Sequence, residues 1–211
     1  MERMFAVGDI HGCLDKLVSL MDIIDVDLKK ETLVFMGDYI DRGPHAKEVV
    51  DYLIDVARGG NRVIFLKGNH ELMLQNYLSG EDKLSFLYNG GEATLRSYMK
   101  AGGLNEANLI PPEHLEFFDN LRLYYETENY IFVHGGLKAN IPLEHQDEWD
   151  MLWLRDEFIY SDFDFGKLVI FGHTPFREPL ILDNKIGIDT GAVYGNKLTC
   201  VELSAMKFFS V

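Results

Sequence analysis

An α/β (α+β mixed) fold, with two mixed β-sheets packed face to face and helices outside, follows from three observations. Short apolar runs recur along the chain, and each ends on polar residues beside glycine. Amphipathic patterns of helical period separate the first of these runs. In the C-terminal half, short turns between some of the runs suggest antiparallel pairing.

The first strands are predicted at Met4–Val7, Thr32–Met36 and Arg62–Leu66, which lead into Gly8-Asp9, Gly37-Asp38 and Lys67-Gly68-Asn69-His70. They are rich in Val, Ile and Phe, as strands covered on both faces are. Between them, Leu14, Leu17, Val18, Met21 and Ile24 keep the i, i+3, i+4, i+7 rhythm of a helix, as do Val49, Val50, Leu53, Ile54 and Ala57. The β-α-β-α-β order predicts parallel strands joined by crossover helices. Further helices are predicted over Glu71–Leu78, Glu92–Met99 and Glu113–Leu121. Strands are predicted over Leu121–Tyr125, Tyr130–His134, Leu168–Phe171, Leu180–Leu182, Lys185–Ile188 and Leu198–Leu203. The turn Asp183-Asn184 predicts antiparallel pairing there.

Composition bounds the function. The chain has 211 residues, 47% hydrophobic and 12% aromatic, which excludes disorder and collagen-like order. No linker or repeat divides it, so residues 1–211 are expected to form a single catalytic domain. No apolar run approaches the ~20 residues of a membrane span, and Met4–Val7 is too short for a signal peptide. With only Cys13 and Cys200 there is no disulfide framework, and a cytoplasmic protein is expected. The net charge of −14 repels nucleic-acid backbones and anionic membranes, so neither is an expected partner. Residues Ile141 to Phe165 alone carry eight acids against one base, Arg155. A monomer is expected.

The chemistry lies at the ends of the apolar runs: Asp9, His11, Asp38, Asn69, His134 and His173. A single such Asp or His is usually a cap or a solvated surface group. Six of them, all after strand-like runs and beside glycine, suit divalent cations of hard to borderline character. Six ligands exceed the need of one ion and suggest two, bridged by a shared carboxylate, an arrangement that clamps a phosphoryl group and acidifies water. His45, His114 and His145 lie outside this pattern and read as surface or core residues. Trp149 and Trp153 read as core, Tyr194 as a packing residue, and Cys13 has no base to activate it.

The motifs Gly8-Asp9-Ile10-His11-Gly12, Gly37-Asp38-Tyr39-Ile40-Asp41-Arg42-Gly43, Gly68-Asn69-His70-Glu71 and His134-Gly135-Gly136 resemble, in order, those of the phosphoprotein phosphatases. Gly172-His173-Thr174-Pro175 and Asp189-Thr190-Gly191 look like the small bacterial members. The resemblance implies the calcineurin-like metallophosphoesterase fold. It assigns Asp9 and His11 to a first metal, Asp38 to the bridge, and Asn69, His134 and His173 to a second metal, with manganese expected and iron or zinc as alternatives. It gives Arg42 and Arg155 the task of gripping phosphate, with Asn69 beside them. It makes His70 the general acid and has Asp41 hydrogen-bond its ring and hold it protonated. A serine/threonine protein phosphatase, able also to take phosphotyrosine, is implied. It would act on phosphorylated protein or peptide by direct attack of a metal-bridging hydroxide.

The alternative on the same scaffold is a bis(5'-nucleosyl)-tetraphosphatase, a diadenosine tetraphosphate hydrolase. Asp41 and Glu71 stand where a common form of that branch differs, and side with the phosphatases. Pro175 occupies a place that often carries a histidine in related phosphodiesterases, which again favours monoester chemistry. A non-enzymatic metal-binding domain would be expected to lack a ligand or the acid, and none is missing. The acidic stretch 141–165 is expected either to be a solvated loop or to select substrates with basic flanking residues.

Overall fold

The structure, a computed structural model, describes residues 3–100 and 109–211. Its strands are β1 (Met4–Val7), β2 (Thr32–Phe35), β3 (Val63–Phe65), β4 (Tyr124–Glu126), β5 (Tyr130–Val133), β6 (Leu168–Phe171), β7 (Leu180–Ile181), β8 (Lys185–Gly187), β9 (Thr199–Glu202) and β10 (Lys207–Ser210). Among the described residues they form two five-stranded sheets, ordered β10-β9-β1-β2-β3 and β4-β5-β6-β8-β7. In the first, β1, β2 and β3 are parallel while β9 and β10 run antiparallel. In the second, β5, β6 and β8 are parallel, with β4 and β7 antiparallel at the edges. The mixed sandwich predicted from the apolar runs is the one observed.

The period of two along each strand explains the layering. Ala6, Val34, Phe132 and Ile170 point between the sheets, where they meet Met36, Leu66, Ile186, Ile188, Val201 and Leu203 in one buried cluster. Their neighbours Phe5, Val7, Leu33 and Phe35 face the other way, under α1 (Leu14–Ile23), α2 (Ala46–Gly59) and α3 (Asn69–Ser79). The same outer layer includes Phe86 of α4 (Lys83–Phe86), Tyr98 of α5 (Glu92–Lys100) and Phe118 of α6 (Pro112–Asp119). On the outside of the second sheet, Ile131, Val133, Val169 and Phe171 pack under α7 (Glu148–Trp153) and α8 (Asp156–Ile159). A one-residue slip of any central strand would exchange these two faces, so the register is strongly specified.

The antiparallel pairing expected in the C-terminal half holds for β4 with β5 and for β7 with β8, but β5, β6 and β8 pair in parallel, because the long connection from β5 to β6 carries α7 and α8 and returns the chain in the same direction. Two strands also differ from expectation. β10 lies beyond the predicted elements; its alternation of Lys207 and Ser210 around Phe208 and Phe209 is too short to stand out, and it forms only by pairing with β9. The strand expected at Leu121–Tyr125 begins at Tyr124, because Arg122 is drawn instead to β3. Its N–H donates to Phe65 O at 3.0 Å, and its carbonyl accepts from Lys67 N at 2.7 Å. That parallel bridge ties the edge of one sheet to the entry of the other.

The segment 141–165 is held from below by Lys185 on β8. This lysine is fully buried; its Nζ donates to Phe158 O at 2.8 Å and Ser161 O at 2.6 Å and lies 4.6 Å from the centre of the Phe158 ring. Several acids of the segment have local tasks: Asp147 accepts from Trp149 N at 2.8 Å, Asp164 from Gly166 N at 2.7 Å, Asp150 pairs with Lys138 and Glu148 with Lys67. These contacts shape the segment, while all of its acids except Asp150 remain exposed. Lys185→Met keeps the volume but removes the donors to two buried carbonyls, and is expected to cost about 2 kcal/mol of stability, measured by urea unfolding.

Candidate functional site

Each parallel strand delivers polar side chains at its carboxyl end, where open α/β sheets hold their ligands. β1 leads to Asp9 and His11, β2 to Asp38, β3 to Asn69 and His70 at the start of α3, β5 to His134, β6 to His173 and β8 to Asp189. All eight are buried. Asp38 lies at their centre. Its Oδ2 is 3.3 Å from His11 Nε2 and 4.0 Å from His70 Nε2, and its Oδ1 is 3.3 Å from His134 Nε2. Asn69 Oδ1 lies 3.0 Å from His134 Nε2 and 2.9 Å from His173 Nδ1. Asp9 sits beneath His173 and accepts its backbone N–H at 3.0 Å.

The backbone is bent to make this convergence. His11, Asp38, Asp41, Arg42 and His173 all have left-handed φ, between 47° and 70°. Each such non-glycine residue costs on the order of 1–3 kcal/mol, and such strain collects at functional sites. The loops are tied down by Glu71. Its carboxylate accepts from Asp38 N at 2.9 Å, Tyr39 N at 2.8 Å and Gly68 N at 2.9 Å, joining the β2 exit to the start of α3. The approach is so close that a Cβ on Gly68 would lie 2.1 Å from Asp38 Oδ1. Arg42 is held from the turn Leu87–Gly91, donating its N–H to Gly90 O at 3.1 Å; Gly90, at φ 101°, leaves room for it.

The hydrogen bonds fix where the imidazole lone pairs point. His11 Nδ1–H donates to Ile40 O at 2.7 Å and His134 Nδ1–H to Met36 O at 2.8 Å, so in the neutral rings both Nε2 atoms face Asp38 as acceptors. Backbone carbonyls of this kind orient metal-binding histidines. Asp9 Oδ1 is buried without a partner. Acceptor atoms that converge in this way offer a place for a cation. The donor set fits divalent metal: His11, Asp38 and His70 form one group that could hold an ion, and Asp38, His134 and His173 another. Asp9, expected beside His11, is absent from both groups, and His70 stands nearer than expected.

The protonation states report the same crowding. Burial raises the Asp9 carboxyl well above its usual range and Asp189 adds to the rise; burial also raises Asp189. Burial alone would lift Asp38, but His134, His70 and His11 hold it well below the usual carboxylate range. Burial would lower His134, yet Asp38 overrides it and pushes the ring up to about 10. Burial and the charge on His134 drive His173 down to about 2.

His70 Nδ1 meets Asp41 Oδ2 at 2.6 Å, as the Asp-Arg-Gly motif implied, while Nε2 has no partner. Thr94 supports Asp41, donating to its Oδ1 at 2.6 Å and accepting its backbone N–H at 2.8 Å. Burial disfavours charge on both partners: it raises Asp41 to about 7 and lowers His70 well below its ordinary value, so the contact with Asp41 orients the ring but does not favour its protonated form as expected. Arg42 Nη1 lies 2.6 Å from His11 Nε2, and Arg155 Nε donates to His173 Nε2 at 2.9 Å. Both arginines line a cavity of about 50 Å³ with Asp38, Asn69, His70, His173, Pro175, Asp189 and Tyr194.

Residues 3–199 match the calcineurin-like phosphoesterase family. The chain belongs to that family. These phosphoesterases are metal-dependent hydrolases, and the His and Asp groups above are of the kind they require. A bis(5'-nucleosyl)-tetraphosphatase PrpE [asymmetrical] of Oceanobacillus iheyensis is 27% identical over 230 residues, covering 97% of this chain and 90% of that protein. Its counterpart in Bacillus velezensis is 26% identical over 222 residues, covering 92% and 86%. A crystal structure provisionally named as a diadenosine tetraphosphatase superposes with a TM-score of 0.78 at 23% identity, covering all of this chain and 93% of that one. A cold-active protein-tyrosine phosphatase of a Shewanella species superposes at 0.69 with 18% identity, covering all of this chain and 80% of that one. The structural likenesses establish the calcineurin-like phosphoesterase fold.

The sequence relatives overturn the expected protein phosphatase and its phosphoprotein or phosphopeptide substrate. The physical reason lies in Asp41 and Glu71, which favoured that expectation. Asp41 holds the His70 ring and Glu71 ties two loops, so both serve the architecture of the site and carry no information about the substrate class.

Sequence reasoning also missed contributors. Asp189 follows a strand run as the other polar residues do, and that pattern could have found it. Tyr194, expected to pack, is 63% exposed and its ring lies 5.6 Å from the Arg42 guanidinium. Trp149, expected in the core, is 61% exposed. Thr94 carried no signal. His114 is a core histidine as expected, bonded to Tyr98 and Asp51; among the described residues no helix is long and apolar enough to cross a membrane. Glu71→Gln replaces one acceptor oxygen by a donor facing backbone N–H groups, and is expected to cost about 2 kcal/mol in urea unfolding and to weaken divalent-metal binding in calorimetry.

Proposed function

We propose that this chain hydrolyses dinucleoside tetraphosphates asymmetrically, releasing a nucleoside triphosphate and a nucleoside monophosphate. The observation that carries the proposal is the match, over 97% of this chain and 90% of the relative, to a protein named for that activity. The pocket is consistent with it. Two guanidiniums from opposite flanks, Arg42 beside His11 and Arg155 beside His173, suit a substrate with anionic groups on both sides of the scissile bond.

His11 and Asp38 would hold one divalent cation, with the unpartnered Asp9 Oδ1 as a further oxygen donor, and Asp38, Asn69, His134 and His173 a second, with manganese the leading choice. When bound, such ions supply charge neutralisation and a water of lowered pKa. The remaining work belongs to the chain. Arg42 and Arg155 grip phosphate oxygens through planar forks that bond two oxygens at once. His70, its Nδ1 anchored on Asp41, presents Nε2 to the departing phosphate oxygen and can deliver a proton there. Thr94 keeps Asp41 in place, which keeps the His70 ring in one orientation.

Three outcomes test these roles. In a competition between diadenosine tetraphosphate and phosphopeptides on manganese-loaded enzyme, the dinucleotide is expected to show at least about tenfold higher kcat/KM; preference for the peptides would refute the proposal. His70→Asn is expected to lower kcat about a hundredfold with little change in KM. Arg155→Lys, which keeps the charge but loses the fork, is expected to lower kcat/KM about tenfold in steady-state assays.

A further inference from the structure

Two exposed aromatic surfaces flank the pocket, and neither has a task in the chemistry above. On the side of His173, whose ring accepts from Arg155, Trp153 meets that ring edge-on at 5.9 Å, and the Trp149 ring stacks on Trp153 with centroids 5.0 Å apart and planes 23° apart. Beside Arg42, Tyr194 lines the pocket itself. The Asp147 side chain, accepting the N–H of Trp149, fixes the turn that carries the outer indole. Core packing does not require that ring to be large or aromatic, because most of it meets water.

We infer that these rings are stacking platforms for the two nucleobases of the substrate, Trp149 and Trp153 on the Arg155 flank and Tyr194 on the Arg42 flank. The inference rests on the function proposed above and adds its specificity residues. A substrate with a base at each end of a phosphate chain needs one platform on each side of the phosphate pocket; Tyr194 neighbours Arg42, and the tryptophan pair adjoins His173, to which Arg155 donates. The net charge of −14 opposes the approach of a polyphosphate, so contacts that carry no charge have to supply part of the affinity. Base stacking on an aromatic ring does that, and it tolerates any base because every base has a π-face.

The chain has only two tryptophans, so its indole emission reports this stack directly. Titrating metal-loaded protein with ADP is expected to quench that emission saturably, whereas inorganic tripolyphosphate, which lacks a base, is not. Calorimetry on the variants then separates stacking from charge. Trp149→Ala is expected to weaken ADP binding about tenfold more than it weakens tripolyphosphate binding, and Trp149→Phe to restore most of the loss. Tyr194→Ala and Tyr194→Phe are expected to behave as the equivalent pair in calorimetry with ADP and tripolyphosphate. Equal weakening of both ligands, or no quenching by ADP, would overturn the inference even if the dinucleotide is hydrolysed. Quenching by ADP and selective weakening in Trp149→Ala without dinucleotide hydrolysis would uphold the platform and refute the proposed function instead.

Discussion

The burial of the Asp38 carboxylate among three imidazoles is the constraint on which the rest of the molecule depends. A charge at 2% exposure would be prohibitive in isolation. It is tolerated because His11, His70 and His134 converge on it from three different strands, and because Glu71 draws the Asp38, Tyr39 and Gly68 backbones together. The Asp38 carbonyl adds a further tie, accepting from both Ile10 N and His11 N. One residue thus joins the loops after β1, β2 and β3 to the end of β5. The left-handed backbone at five residues of the cluster is sustained by the rigid sandwich beneath.

Much of this was legible because strand endings repeat a pattern. Apolar runs that stop at glycine followed by Asp, Asn or His place their polar residues at the same edge once the strands are parallel, and the β-α-β order makes them parallel. The positions of Asp9, His11, Asp38 and Asn69 follow from that logic, whereas His134 and His173 reach the same edge because β5 and β6 are parallel where antiparallel pairing was expected. Their partition between two ions does not follow from it, since the distances group His70 with His11 and Asp38 and leave Asp9 against His173 and Asp189. Long-range folding decides this, through contacts such as Asp9 to His173 that span most of the chain.

Other features left no trace in the sequence because their cause is not local. β10 exists only through β9, and the Arg122 bridge only through β3. Trp149 resembles a core residue in any helical pattern, and only the packed structure shows its ring facing water. The substrate class was misjudged for a related reason. Residues that assemble a phosphate site are shared by enzymes with different substrates, whereas the residues that would discriminate, the exposed rings of Trp149 and Tyr194, lie outside the motifs.

The central claim is that the side chains around Asp38 hold a pair of cations. Anomalous scattering from crystals grown with manganese tests it most directly. Two peaks are expected, one on each side of the Asp38 carboxylate, with the first contacted by His11 and the second by His134 and His173. A single peak, or peaks remote from Asp38, would contradict the account.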